Sequence, residues 1–364
     1  MTPTTIPALV ARTAGGEPAV EPVALPATGA GQVRVRIRAA GVCHSDLSML
    51  NGTVAAPMPL VLGHEAAGVV TEVGAGVTRV APGAHVVLNW SPACRRCWFC
   101  THGEPWLCES SGGAAATPGG SAADGTPLHH TLGLGALAAE VVVAENAVIA
   151  VPAELPFAEA ALLGCAVLTG VGAVGTTARV GAGDAVVVIG LGGVGLSVLL
   201  GARAAGAGPV IAVDVSEAKR DLALAAGATD YLVSDDNLSR AVRALTGGRG
   251  ADHAFECVGR AATIRAAWRA TRRGGQVTVV GMGGKDDLFT VSALEIFASA
   301  RTLRASVYGS ADPDRDIPRL AQAVLDGALD LGPLITHRIT LAEAPAAFAR
   351  MSRGEGARSV VLFD

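Results

Sequence analysis

Charge is scarce in this 364-residue chain: 16% of residues are Asp, Glu, Lys or Arg, and the formal net charge is −4. So sparse and slightly acidic a balance gives no electrostatic footing for nucleic acid or an anionic membrane surface, and neither is expected as a partner. A basic stretch followed by an apolar run and a small-residue cleavage site is missing from the N-terminal residues. Secretion is therefore not expected, and a cytoplasmic, reducing compartment is. Long uncharged runs are few. Residues 160–178 and 185–202 are long enough to raise the question of a membrane span, but both contain several glycines and the second is better explained below, so insertion is not expected. Low-complexity sequence is confined to residues 110–125, rich in Gly, Ala, Ser and Pro, which read as a surface loop. The length suggests two domains, and a hydrophobic fraction of 50% supplies ample core.

Cysteines are also few, seven in all, and their placement is informative. Cys94, Cys97, Cys100 and Cys108 form C-x2-C-x2-C-x7-C. That spacing suits a closed tetrahedral four-thiolate site for structural zinc. The competing reading is two disulfides, which requires an oxidising compartment. Cys43 and Cys165 lie far apart, with His64 between them in Gly63-His64-Glu65. A Cys/His/Cys set leaving a fourth position open is the pattern of catalytic zinc. Spacing alone supports it weakly, because a lone His is commonly a core or surface residue and a lone Cys is commonly buried and inert. Cys257 stays unassigned, read as a structural residue at a strand end.

Mid-chain, the apolar run 185–190 leads into Gly190-Leu191-Gly192-Gly193-Val194-Gly195, a G-x-G-x-x-G between a strand and a helix read over 196–205. Glycines there permit a tight turn and close approach of backbone to a pyrophosphate. The next strand, 209–213, ends at Asp214, whose carboxylate can accept hydrogen bonds from ribose hydroxyls and would repel a 2′-phosphate. NAD is therefore expected over NADP. Helical segments 217–226, 238–245 and from 261 alternate with strands near 231–233, 252–257, 276–281 and 302–308. The pattern predicts a doubly wound, six-stranded parallel sheet. The first 160 residues differ: Val33-Arg-Val-Arg-Ile-Arg38 alternates as a half-exposed strand, and 69–73, 85–88 and 140–143 are further strands among Gly/Pro turns. The tail, with a helix at 317–325 and a strand at 359–363, is expected to fold back onto this β-rich part.

With these motifs in this order, the chain resembles the zinc-dependent alcohol dehydrogenases of the medium-chain dehydrogenase/reductase family over essentially its whole length. Gly63-His64-Glu65-x2-Gly68-x5-Gly74-x2-Val77 matches the family's zinc signature, and Cys43-His44-Ser45-Asp46 matches the segment of the first zinc ligand. The resemblance implies a GroES-like catalytic domain (residues 1–166 and 308–364, with the zinc loop 94–108) and a Rossmann NAD-binding domain (167–307). It implies two zinc ions per chain, the catalytic one on Cys43, His64 and Cys165. Asp46 and Glu65 would stand behind that zinc, Asp46 orienting His64. Ser45 would take the proton from the substrate hydroxyl, Thr169 would lie beside the nicotinamide, Lys219 by the adenosine ribose, and His44 and Arg358 by the pyrophosphate. Ser48 stands where many relatives end the proton relay in a histidine. Val54, Trp90, Thr131, Leu132, Met282 and Val307 would line the substrate pocket, and Trp90 can equally be a core residue.

These residues imply oxidation of a primary aliphatic or aromatic alcohol to an aldehyde, or the reverse, by hydride transfer. The alternatives are a thiol-adduct aldehyde or an activated double bond on the same scaffold, and more remotely a non-catalytic NAD-binding protein. Glutathione-dependent formaldehyde dehydrogenases use an acidic residue near Val54 and an arginine soon after the fourth cysteine. Here Glu109-Ser-Ser-Gly-Gly-Ala follows, which argues against that activity. A homodimer is expected from the family and the retained segment between Cys108 and Glu140, with a tetramer as the alternative.

Overall fold

Val33, Val35 and Ile37 point inward from the strand Gln32–Gly41 and are fully buried, as the alternation requires. The basic positions between them depart from a simple half-exposed strand. Arg36 is exposed, but Arg34 is buried, its guanidinium 3.1 Å from Glu140 and 3.4 Å from Glu72. A charge can be buried there because carboxylates on adjacent strands pair with it.

The computed structural model describes residues 4–111 and 117–364. The chain divides into two compact units, Met1–Cys165 with Asp312–Asp364, and Ala166–Ala311. In the first, the strands Thr4–Ala11, Ala19–Leu25, Gly120–Ala122, Pro127–His130 and Leu60–Val61 close a small barrel. A seven-stranded sheet runs in the order Val148–Ala150, His85–Leu88, Glu65–Val73, Gln32–Gly41, Arg358–Leu362, Ile335–Ile339, with Glu140–Ala144 also on Gln32–Gly41. The tail strand thus lies antiparallel to Gln32–Gly41, Val360 opposite Gly41. Part of the stretch expected as a surface loop is a strand: Gly120–Ala122 pairs with Val23–Ala24 and, through the turn before Pro127, with Pro127–Leu128. The barrel strands on either side supply the backbone partners that its composition does not advertise. Residues 112–116 of that stretch lie outside the described residues.

In the second unit the sheet order is Asp230–Val233, Val210–Asp214, Val186–Ile189, Ala251–Glu256, Thr271–Val279, Thr302–Ala305, all parallel. Chain order therefore reverses between Val186–Ile189 and Ala251–Glu256, and the crevice beyond their C-terminal ends is where such sheets bind nucleotides. The last strand stops at Ala305 rather than 308, because Tyr308, Gly309 and Ser310 all have positive φ. The helix after the fingerprint starts at Gly193, so the last glycine lies in its first turn. Phe157–Ala178, 22 residues whose most apolar 18-residue window has a mean hydropathy of 1.8, is long and apolar enough to cross a membrane, yet 78% of that window is buried in the fold. That is the placement of a core helix.

Candidate active site and metal centres

The four clustered cysteines meet on one short loop. Their sulfurs lie within 4.8 Å of one another and no disulfide joins them. Backbone N–H groups face the sulfurs: Cys94 N donates to Cys108 Sγ at 3.2 Å and Cys97 N to Cys94 Sγ at 3.3 Å. The N–H groups of Arg96 and Cys97 lower the Cys94 thiol to about 6, whereas burial and Cys97 push Cys100 up to about 12. Metal binding at such a cluster displaces the remaining protons. Arg95, at positive φ between two ligands' neighbours, turns its guanidinium onto Asp312 Oδ2 (2.8 Å) and onto Asp314, at the start of the helix Pro313–Leu325.

Cys43, His64 and Cys165 also converge, their ligand atoms within 4.8 Å. Three local devices bring them together. Cys43 caps the helix His44–Leu50, His64 directly precedes the strand Glu65–Val73, and Cys165 lies in a π-helical stretch, Leu163–Val167. Such a widened turn re-aims a side chain and recurs at functional sites. Gly63 has φ +101, and a Cβ there would lie 2.2 Å from Leu137 N, so only glycine admits this approach to His64.

Asp46, fully buried, accepts the Gly63 N–H at 2.8 Å through Oδ1 and stands 3.0 Å from His64 Nδ1 through Oδ2. A proton on Nδ1, facing that carboxylate, leaves the Nε2 lone pair for the other ligands, 3.3 Å from Cys165 Sγ. Separations of this size match the edges of a tetrahedron with metal–ligand bonds of about 2.0–2.3 Å. The residues therefore fit a zinc ion with one open position. A hydrogen bond from Cys165, then Arg358, hold the Cys43 thiol well below its ordinary value, and the same contact with Cys43 raises the Cys165 thiol.

The Arg358 guanidinium is buried at the metal site. Nη2 lies 3.2 Å from both Cys43 Sγ and Glu65 Oε2, and Nη1 reaches the Val42 carbonyl at 3.4 Å. A buried cation beside a thiolate and a carboxylate is the energetically natural place for it, since each offsets the others' desolvation. Gly41 makes room, for a Cβ there would lie 2.9 Å from the Glu65 carboxyl carbon.

Ser45 and Ser48 sit one turn apart on His44–Leu50, Ser45 half-buried and Ser48 buried, with His44 exposed. Val54, Trp90 and Leu132 are partly buried and pack against the core of the first unit, and Thr131 is wholly buried. Met282 and Val307 belong to the second unit and are exposed there.

In the second unit Asp214 binds the fingerprint itself: Oδ2 accepts the Leu191 N–H at 2.8 Å and Oδ1 the Ser216 N–H at 3.2 Å. Each oxygen keeps a lone pair for a further donor. Lys219 and Thr169 are buried. Gly195 packs so close that a Cβ would lie 1.9 Å from Gly190 O. The sequence reading missed Glu256, which is fully buried at the end of the strand beside the fingerprint strand. Its only signal was an acid at a strand terminus.

Residues 29–153 match the family described as alcohol dehydrogenase GroES-like domain, and residues 193–326 that described as zinc-binding dehydrogenase. S-(hydroxymethyl)glutathione dehydrogenase of Paracoccus denitrificans is 37% identical over 372 residues, spanning 98% of this chain and 99% of that one. Among solved structures, an alcohol dehydrogenase zinc-binding domain protein from Burkholderia ambifaria superposes with a TM-score of 0.93 at 33% identity, covering 99% of both chains. Benzyl alcohol dehydrogenase from Acinetobacter calcoaceticus superposes at 0.91 with 26% identity, covering 99% of this chain and 100% of that one.

Proposed function

Since the chain belongs to the zinc-dependent alcohol dehydrogenases of the medium-chain dehydrogenase/reductase family, we propose that its substrate is the hydroxymethyl adduct of a thiol with an aldehyde. In this reading R–S–CH2–OH and NAD give R–S–CHO, NADH and a proton. The observation that carries it is the full-length relationship to an enzyme named for such a substrate. A second reading, oxidation of simple primary alcohols, is favoured by Val54, which supplies no acid, and by Glu109-Ser-Ser, which supplies no arginine, for a peptide thiol's charged groups. Residues 112–114 of that segment lie outside the described residues. A panel pairing benzyl alcohol with formaldehyde adducts of several thiols separates the two. kcat/KM at least about tenfold higher for one adduct supports the first, and preference for free alcohols overturns it.

Bound zinc supplies a Lewis acid that lowers the pKa of a hydroxyl in its open position. NAD supplies the hydride acceptor. The chain's own groups do the rest. Asp46 fixes the tautomer and direction of His64. Arg358 offsets the charge gathered on Cys43. Ser45 Oγ takes the substrate proton, and Ser48, on the same helix, passes it outward. The seven cysteines, all free of disulfides, suit a reducing cytoplasm.

Asp214 sets the preference for NAD, with ribose hydroxyls as donors to its remaining lone pairs. Asp214→Ala is expected to raise the KM for NAD and to narrow the NAD-over-NADP ratio of kcat/KM by at least about tenfold. The check is initial rates with both nucleotides, and a wild type that already uses NADP equally well would remove this role from Asp214.

The enzyme acts as a homodimer in this reading. Thr302–Ala305 is an edge strand with every residue exposed, and the nearby chain exposes Leu294, Phe297 and Leu303. Natural proteins seldom leave such an edge and apolar surface bare. Phe297→Arg should convert a dimer to monomer by light scattering. A monomeric wild type, or a variant of unchanged mass, contradicts the assignment.

A further inference from the structure

The crevice of the dinucleotide unit has two lips, and only one is the glycine fingerprint. The other is the turn Cys257-Val258-Gly259, which follows Ala251–Glu256 at the point where strand order reverses. This turn touches the fingerprint: a Cβ on Gly190 would lie 2.5 Å from Val258 Cγ2. On its other side it is wedged against the end of the next strand, since a Cβ on Gly281 would lie 2.1 Å from Gly259 N. Gly259 itself has φ +83, and a Cβ on it would lie 2.5 Å from the Met282 carbonyl carbon. The turn therefore has little freedom of position, and a displacement of it would be felt at Gly190.

One side chain holds the turn in shape. Glu256 Oε1 accepts the N–H of Val258 at 2.9 Å, the N–H of Gly259 at 2.8 Å and the hydroxyl of Thr263 at 2.7 Å. Its main-chain oxygen receives the N–H groups of Val280 and Gly281, at 2.8 and 2.9 Å. Glu256 thus ties together the turn, the first turn of the helix Ala261–Ala270 and the end of the neighbouring strand. Burial pushes its carboxyl up, against the pull of Thr263 and of the N–H groups of Gly259, Val258 and Arg260. A fully buried carboxylate is costly to keep, and an apolar residue would pack a strand end at lower cost. What the apolar residue could not do is gather two N–H groups and a hydroxyl onto one oxygen.

We propose that Glu256 is a positioning residue for the dinucleotide, fixing the Val258–Gly259 turn as the lip opposed to the glycine fingerprint. The inference rests on the assignment of NAD to this unit. It concerns binding of the nucleotide rather than the chemistry at the zinc, so its test does not depend on which alcohol is the substrate.

The test is calorimetric titration of the zinc-loaded protein with NAD and NADH, alongside initial rates. Glu256→Gln keeps an acceptor oxygen for the same three donors and should bind within about threefold of wild type. Glu256→Ala leaves those donors unmet and should weaken NAD binding by at least about tenfold. Zinc content and kcat at saturating NAD should stay near wild type, so the loss appears in KM for NAD. Thr263→Val, which removes one of the three donors, should fall between. If Glu256→Ala does not fold, Glu256→Asp provides the same comparison, its carboxylate drawn back from the turn by one methylene. A folded Glu256→Ala (or Glu256→Asp) that binds NAD within twofold of wild type overturns the proposal. So does a Glu256→Gln as impaired as Glu256→Ala, which would mean that the charge, not the turn, is what matters.

Discussion

Cys165→Ser is expected to remove more than about 100-fold of kcat while leaving the fold nearly intact. Loss of a residue that merely orients a metal ligand typically costs ten- to a hundredfold, and Cys165 contributes a ligand atom directly. The substitution is close to isosteric at a buried position in the π-helical turn, so packing is preserved. What changes is the donor set. A hydroxyl replaces one thiolate opposite His64 Nε2, and Arg358, buried with Cys43 and Glu65, faces one negative group fewer. Metal content should drop from two zinc ions per chain towards one, with the melting temperature shifted by only a few degrees. Elemental analysis and calorimetry on the same preparation check both halves. Full zinc content with normal turnover would show that Cys165 is only a buried core thiol.

Cys94→Ser should behave in the opposite way, costing stability before it costs chemistry. Binding of structural zinc contributes about 10–16 kcal/mol in small peptide sites. Much of this unit has its own core, so only part of that is expected here, on the order of several kcal/mol. For a unit of this size each kcal/mol moves the melting temperature by about 2–4 °C, which predicts a drop of roughly 10 °C. The loop is also fastened through Arg95 to Asp312 and Asp314, so its disordering releases the start of Pro313–Leu325 as well. Limited proteolysis should then cut near both sites. An unchanged melting temperature in protein that has lost one zinc would remove the structural role.

These two metal sites differ in how far sequence reveals them, and the reason is distance along the chain. Cys94 to Cys108 are held by one loop, so their spacing already encodes the geometry. Cys43, His64 and Cys165 meet only because a helix cap, a strand start and a π-helical turn are stacked by the fold. No spacing rule contains that, and it took the resemblance to a known family to turn a weak pattern into a ligand set. Arg358 joins this site from farther still. Its partner Cys43 is 315 positions away, and the preference of a buried guanidinium for that thiolate is a property of the packed site. The fingerprint and Asp214 were legible because strand, turn and helix are contiguous. Glu256 was not, because its partners are mostly backbone N–H groups, which every sequence has. The barrel strands Thr4–Ala11 and Ala19–Leu25 were overlooked for a local reason. Each contains a proline, and the two face each other, Pro7 opposite Pro22, so each proline meets a partner that offers no N–H either.

The tail strand has a consequence for the order in which the molecule can be made. Ala166–Ala311 is continuous in sequence, so the nucleotide-binding unit has all its residues once the ribosome has passed position 311. The other unit has to wait. Its sheet lacks Arg358–Leu362, the neighbour of Gln32–Gly41, until those residues emerge, and with that strand it lacks the cation beside Cys43. Domains generally fold as units during synthesis, the earlier ones first. Here the half that is translated first is finished last, and the cofactor fold is complete while the metal site is still missing a wall.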